Sequence, residues 1–400
     1  MRTIAYWLSL VLIFLIPWEN MISLGGNETT WAKALGLLVG TVWVFTVVVT
    51  GKFRKPRPFH VAIYLFLLWN VISVFWSVDV DLTLVRLQTY FQLAVLVFIL
   101  WDLYTTPAAL QAGLQAYVLG AYVAIGSTVA NYLAGVQESS LRYAATGFNA
   151  NDLGLTLALG IPVAWHLAVS ESNGKMAQAL RLLNYAYLPA AVLAILLTGS
   201  RGALIAALPA LFFVVGSLPR LKLFQRLLIF AALVGALLTL QSLVPQPSLD
   251  RLATTGTQIA AADLGGRVEI WSDGIAVFLD HPLLGVGTGA FRVAIESGKA
   301  AHNSYLAVLV GAGLIGFVLF AIILVMVVNQ AMRQPKWASR LWLTILLVLA
   351  LGNFVHNWEL EKPNWLFLSL VIVSAALSVR RDESLPVSEV PGKLKTLSKG

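Results

Sequence analysis

The chain has 400 residues, of which 58% are hydrophobic and only 12% charged, with a formal net charge of +8 and no cysteine. An ordinary soluble chain carries about 25% charged residues, so two or three soluble domains, the usual content of this length, are excluded. The lack of cysteine excludes disulfides, Cys-ligated zinc, iron–sulfur clusters and thiol nucleophiles. The 13 Trp, 19 Phe and 11 Tyr suit a chain with two lipid–water interfaces, where amphipathic rings collect. The composition is that of an all-α polytopic membrane protein.

A membrane-crossing helix needs about 20 predominantly apolar residues. Twelve segments are expected to supply them, centred on 4–16, 32–50, 59–75, 87–101, 108–133, 153–169, 182–197, 202–217, 227–243, 304–328, 341–356 and 364–379. The first follows Arg2 and ends in Ile16-Pro17-Trp18-Glu19 without a small-residue cleavage site, so it reads as an anchor and not a signal peptide. Spans seven and eight are separated only by Thr198-Gly199-Ser200-Arg201, a tight hairpin at a membrane surface. The long connection is 244–302, and structureless loops beyond about 12–15 residues are uncommon unless functional or disordered. Here Val268, Trp271, Ile275 and Phe278 fall on one side of a helix that Asp280-His281-Pro282 stops. Gly285-Val286-Gly287-Thr288-Gly289 follows as a flexible turn, then a short run from Ala290 to Glu296. The expected organisation is spans one to nine over 1–243, a helical loop over 244–302, spans ten to twelve over 303–380, and a polar tail over 381–400.

Lysine and arginine orient the chain. Of 27 basic residues, 18 fall on one alternating set of segments, which includes Arg2, the Lys52/Arg54/Lys55/Arg57 cluster, Arg333/Lys336/Arg340 and the tail. The positive-inside rule puts that set and both termini in the cytoplasm, and 244–302 on the outer, periplasmic side. The basic excess is therefore topological and addressed to lipid headgroups, and no nucleic-acid partner is expected.

The middle of each span contains no Asp, Glu, Lys, Arg or His. A charge at the bilayer centre costs at least about 2.5–3.5 kcal/mol, which proteins accept for ion pathways and proton relays. An ion-coupled transporter is thus disfavoured, and polar chemistry belongs at a membrane face. On the outer face lie His281, His302 and His356 with Arg142, Arg201, Arg267 and Arg292, a combination that reads as an anion site beside a titratable base. Arg86 and Arg292 are read as snorkelling to headgroups. Arg201 lies between Gly199 and Gly202 at the start of a helix, and Arg267 follows Gly265-Gly266 at the start of another. Two arginines at two helix N-termini can cradle a diphosphate; structural capping is the alternative. There is no phosphate-binding Gly-Lys-Ser/Thr loop, no His-Glu-x-x-His and no clustered acidic metal site.

Thr198-Gly199-Ser200-Arg201-Gly202-Ala203 opens a span, and Gly266-Arg267-x-x-x-Trp271 lies in the long outer loop. His302-Asn303 is followed after nine residues by Gly313-Leu314-Ile315-Gly316, and Thr146-Gly147-Phe148-Asn149-Ala150-Asn151-Asp152-Leu153 precedes span six. In this order and spacing they resemble the O-antigen ligase superfamily, and the likeness runs the length of the chain. The resemblance implies metal-independent, cofactor-free, inverting transfer of a glycan from undecaprenyl diphosphate to lipid A–core at the periplasmic face of a Gram-negative inner membrane. It implies His302 as catalytic base and Arg201 and Arg267 as holders of the diphosphate. Arg142 is a third expected diphosphate ligand, with Ser200, Asn303 and Asn151 in support. The rivals are an O-antigen or exopolysaccharide polymerase, a transporter of lipid-linked sugar or small anion built on broken helices at the midplane, and a scaffold subunit for polysaccharide export.

Overall fold

The computed structural model describes residues 1–22, 30–138, 142–170, 174–227, 244–254 and 266–384. Its helices are α1 (Arg2–Leu15), α2 (Trp31–Thr50), α3 (Pro58–Ile72), α4 (Val80–Leu103), α5 (Pro107–Leu133), α6 (Ala150–Val169), α7 (Lys175–Thr198), α8 (Arg201–Ser217), α9 (Gln246–Ala253), α10 (Arg267–Asp280), α11 (Phe291–Ala294), α12 (Ser304–Met332), α13 (Lys336–Val355) and α14 (Lys362–Ser384). Eleven described helices, α1–α8 and α12–α14, are long and apolar enough to cross a membrane, and no strand occurs among the described residues. The chain is an all-α polytopic membrane protein. The expected ninth span lies, from residue 228 on, outside the described residues.

Helix starts follow local chemistry. Thr30, Asp79, Thr106, Asn149, Ser200 and Asn303 each cap a helix with a side-chain oxygen that accepts a backbone N–H. Asp79 explains why α4 begins at Val80, well before the apolar run at 87: the cap sets the boundary, not the hydropathy. The long loop forms the expected helix as α10, capped at its C-terminus by His281, but Val268 and Ile275 of the expected face are exposed and Ile270 and Gly274 are buried instead.

Helix α6 is enclosed by α5, α7, α8 and α13. Small residues bring these spans close, as packing between helices in lipid requires. A Cβ on Gly154 of α6 would lie 2.5 Å from the Cβ of Ala203 on α8, and one on Gly202 would lie 2.9 Å from Val355 of α13. These approaches draw the N-terminus of α6, the α7–α8 hairpin and the C-terminus of α13 to one end of the bundle.

Helix α12 is broken at Gly313, whose φ of 66° and ψ of −173° are far from helical. The N–H groups of Leu314 and Ile315 turn away from Val310 and Gly311 and donate to the carbonyls of Pro282 and Leu283, at 2.9 and 3.4 Å. The carbonyls released inside α12 accept instead from Val286 and Gly287, at 3.0 and 2.9 Å. The Gly285–Gly289 segment is therefore a docked strap and not the flexible turn expected from its composition. A Cβ on Gly313 would meet the carbonyl oxygen of Leu283 at 2.2 Å, so only glycine permits this approach. Thr288 fastens the strap further by donating to Asn70 Oδ1 at 2.6 Å and by accepting, through its carbonyl, from the Thr83 hydroxyl at 2.9 Å.

Candidate active site

The α7–α8 hairpin is built by two opposed preferences. Gly199 takes the left-handed conformation that ends α7 (φ 56°), and Ser200 caps α8 by accepting from the Ala203 N–H. Asn151, on the first turn of α6, ties three elements together. Its Oδ1 accepts from the Ser200 hydroxyl and from Arg142 Nη2, each at 2.8 Å. Arg142 also donates from Nε to the Thr198 carbonyl at 2.8 Å. Three expected site residues, Arg142, Asn151 and Ser200, thus meet in one knot. Arg142 is buried, and two of its nitrogens are committed to the hairpin, so its first effect is to fix the position of Arg201.

Arg201 and Arg267 each occupy the first position of a helix. A cation there opposes the helix macrodipole by about 0.3–1 kcal/mol, so capping does not account for either residue. The guanidinium groups stand close enough to act on one another. Burial, then Arg201, lowers the pKa of Arg267; burial, then Arg251 and Arg201, lowers that of Arg142, and Glu138 opposes. Arg251, on α9, was not singled out from the sequence, and its Nε is buried without a hydrogen-bond partner. Arg142, Arg201, Arg251 and Arg267, near enough in pairs to act on one another beside two helix starts, make a candidate site for a multiply charged anion.

His302 is the only non-glycine residue with positive φ (47°) among the described residues. Backbone strain of this kind costs on the order of 1–3 kcal/mol and collects at functional sites. It is imposed from both sides. Asn303 caps α12 by accepting from the Leu306 N–H at 3.1 Å, and its own N–H donates to Asn357 Oδ1 at 3.0 Å. The imidazoles of His302 and His356 lie nearly parallel, at an interplanar angle of 7°, and meet edge to edge with their Nδ1 atoms 3.3 Å apart. His356 Nε2 lies 2.7 Å from Asp152 Oδ1, which also accepts from the Trp358 indole N–H at 2.9 Å. Burial is the main force lowering the pKa of His302 to about 4; His356, Arg267 and Arg292 add to it and Asp152 opposes it.

His356 was expected only as one of three outer-face histidines and Asp152 only as part of the segment before span six; neither had a role assigned, although a signal existed. His302-Asn303 at the head of α12 and His356-Asn357 at the foot of α13 are the same dipeptide. Arg86 and Arg292, expected at the headgroups, instead line a cavity of about 240 Å³ beside His302.

The O-antigen ligase family model (Wzy_C) matches residues 186–321, a stretch that contains the hairpin, α10, His302 and the break in α12. An O-antigen ligase of Pseudomonas aeruginosa is 26% identical over 348 residues, which cover 84% of this chain and 82% of that protein. In the order of its motifs, in the family match and in the reach of this relative, the chain is similar to the O-antigen ligases.

Proposed function

We propose that the chain transfers a glycan from undecaprenyl diphosphate to a hydroxyl of lipid A–core, by inverting displacement at the periplasmic face of the inner membrane. The observation that carries this reading is the chain Asp152–His356–His302 beside the arginine cluster. With Asp152 accepting from His356 Nε2–H, the Nδ1 of His356 is left with a lone pair. His302 donates its own Nδ1–H to that lone pair, which leaves His302 Nε2 as the basic nitrogen. Nε2 takes the proton of the acceptor hydroxyl as its oxygen attacks the anomeric carbon, and the bond from that carbon to the diphosphate oxygen breaks. General-base assistance of this kind is worth roughly 10²–10⁴-fold. The growing charge on the diphosphate is met by Arg201 and Arg267, with Arg142 and Arg251 behind them. Such preorganised donors act most strongly where water is excluded.

Purified protein incubated with an undecaprenyl-diphosphate glycan and lipid A–core should add the glycan mass to lipid A–core and release undecaprenyl diphosphate. Elongation of the donor-linked glycan instead would favour the polymerase; unchanged masses of both lipids would end the reading.

Orientation is part of the same proposal: both termini are cytoplasmic and 244–302 is periplasmic. The chain has no native cysteine, so single cysteines report cleanly. A cysteine at exposed Leu279 should react with a membrane-impermeant thiol reagent in intact spheroplasts, and one at Phe53 should not. The reverse pattern would invert the topology.

A further inference from the structure

The cavity beside His302 is lined by Arg86, Tyr90, Arg292, Glu359 and Glu361, and by His302 itself. None of Arg142, Arg201 or Arg267 reaches it. His302 lines this cavity and is close enough to Arg267 for their charges to interact, so it borders both the cavity and the arginine cluster. An inverting displacement needs two such borders, because the entering and leaving oxygens lie on opposite faces of the anomeric carbon.

The lining is built for a ligand. Glu359 is only 6% exposed, and its Oε2 has no hydrogen-bond partner. Its backbone N–H donates to the Ser304 hydroxyl at 3.1 Å, which fixes the main chain at the cavity wall. A buried polar oxygen without a partner is unfavourable unless something brings it a donor. Arg86 reaches the cavity because Gly289 has no side chain: a Cβ there would lie 2.3 Å from Arg86 Cγ. Among the described residues neither Arg86 nor Arg292 is in an ion pair. Small-molecule pockets usually measure about 300–1,000 Å³, and this smaller one has room for a single sugar ring.

We propose that this cavity is the acceptor subsite, and that it takes a sugar bearing an anionic substituent. Arg86 and Arg292 receive the phosphate or carboxylate, and a ring hydroxyl donates to Glu359 Oε2. The proposal rests on the glycosyl-transfer reading of His302. Burial raises the pKa of Glu359, and burial with Asp152 and Glu19 raises that of Glu361 to about 8. The upward direction of both shifts weakens the repulsion these acids offer an anion.

The test is equilibrium binding, without donor, to full-length protein in phosphatidylcholine nanodiscs. The probes are lipid A–core, lipid A–core stripped of its phosphates, and undecaprenyl diphosphate. Arg292→Ala, at an exposed position, and Arg86→Ala should each weaken binding of phosphorylated lipid A–core tenfold or more. They should leave binding of the stripped lipid and of undecaprenyl diphosphate unchanged. Glu359→Gln should weaken both forms of lipid A–core severalfold. Unchanged affinity for phosphorylated lipid A–core in Arg292→Ala, or an equal loss for undecaprenyl diphosphate, would overturn the proposal. The two readings separate cleanly. A wild-type chain that binds lipid A–core through these residues yet transfers nothing ends the transferase reading and leaves the subsite standing. Transfer whose acceptor KM is unmoved by Arg292→Ala does the reverse.

Discussion

His302→Ala should lower turnover by roughly 10²–10⁴-fold, the worth of a positioned general base, and leave donor affinity intact. The side chain is only partly buried and meets a single imidazole edge to edge, so the variant should insert and fold as the wild type does. Thermal unfolding of the purified variant checks that point, and donor binding checks that the arginine cluster survives. The pH profile of the wild type supplies a second readout. A base must be neutral before the acceptor binds, and the groups around His302 hold its pKa near 4, below the ordinary 6.5. Lowering a histidine pKa extends the neutral form toward acid. Turnover per bound donor should therefore hold from neutral pH down to about pH 5 and fall with a midpoint near 4. A midpoint at the ordinary histidine value would show that burial and the neighbouring cations do not act on the base. Wild-type turnover in His302→Ala would remove the base assignment altogether.

The second large effect is expected on the donor. A charge-assisted hydrogen bond is worth about 1.5–3 kcal/mol, or roughly 10- to 100-fold in affinity. Arg267→Ala and Arg201→Ala should each weaken binding of undecaprenyl diphosphate by that factor and lower turnover further, because the leaving group carries more charge in the transition state than in the ground state. Lysine at either position should recover only part of the loss, since an ammonium lacks the two-pronged geometry that matches a phosphate. Direct titration of the lipid diphosphate measures the effect. Intact affinity and turnover in Arg267→Ala would show that the cradle lies elsewhere.

The eleven described spans were legible because each is an apolar run of bilayer length, and the hairpin because Thr198-Gly199-Ser200-Arg201 leaves no room for anything else. The motifs pointed to His302, Arg201 and Arg267 as candidates, but not to the contacts that bring Asp152 and His356 to His302. Those residues are separated from each other and from His302 by whole spans, and only the close crossing of α6, α8 and α13 brings them together. Arg86 was misread for a related reason. At the outer end of a span an arginine ordinarily points to headgroups; here the missing side chain of Gly289, far along the chain, opens another direction. The break in α12 was also hidden. Gly311 and Gly313 look like ordinary small residues in a transmembrane helix until the strap that answers them is known.

That break bears on gating. Lifting the 282–289 segment as a lid would strand the carbonyls of Val310 and Gly311 and the N–H groups of Leu314 and Ile315, which have given up their helical partners. In a membrane each unsatisfied backbone group costs several kcal/mol, and the Thr288 bonds to Asn70 and Thr83 would be lost as well. The strap is therefore a fixed wall. Whatever motion opens the site to its ligands, this edge stays shut while it happens.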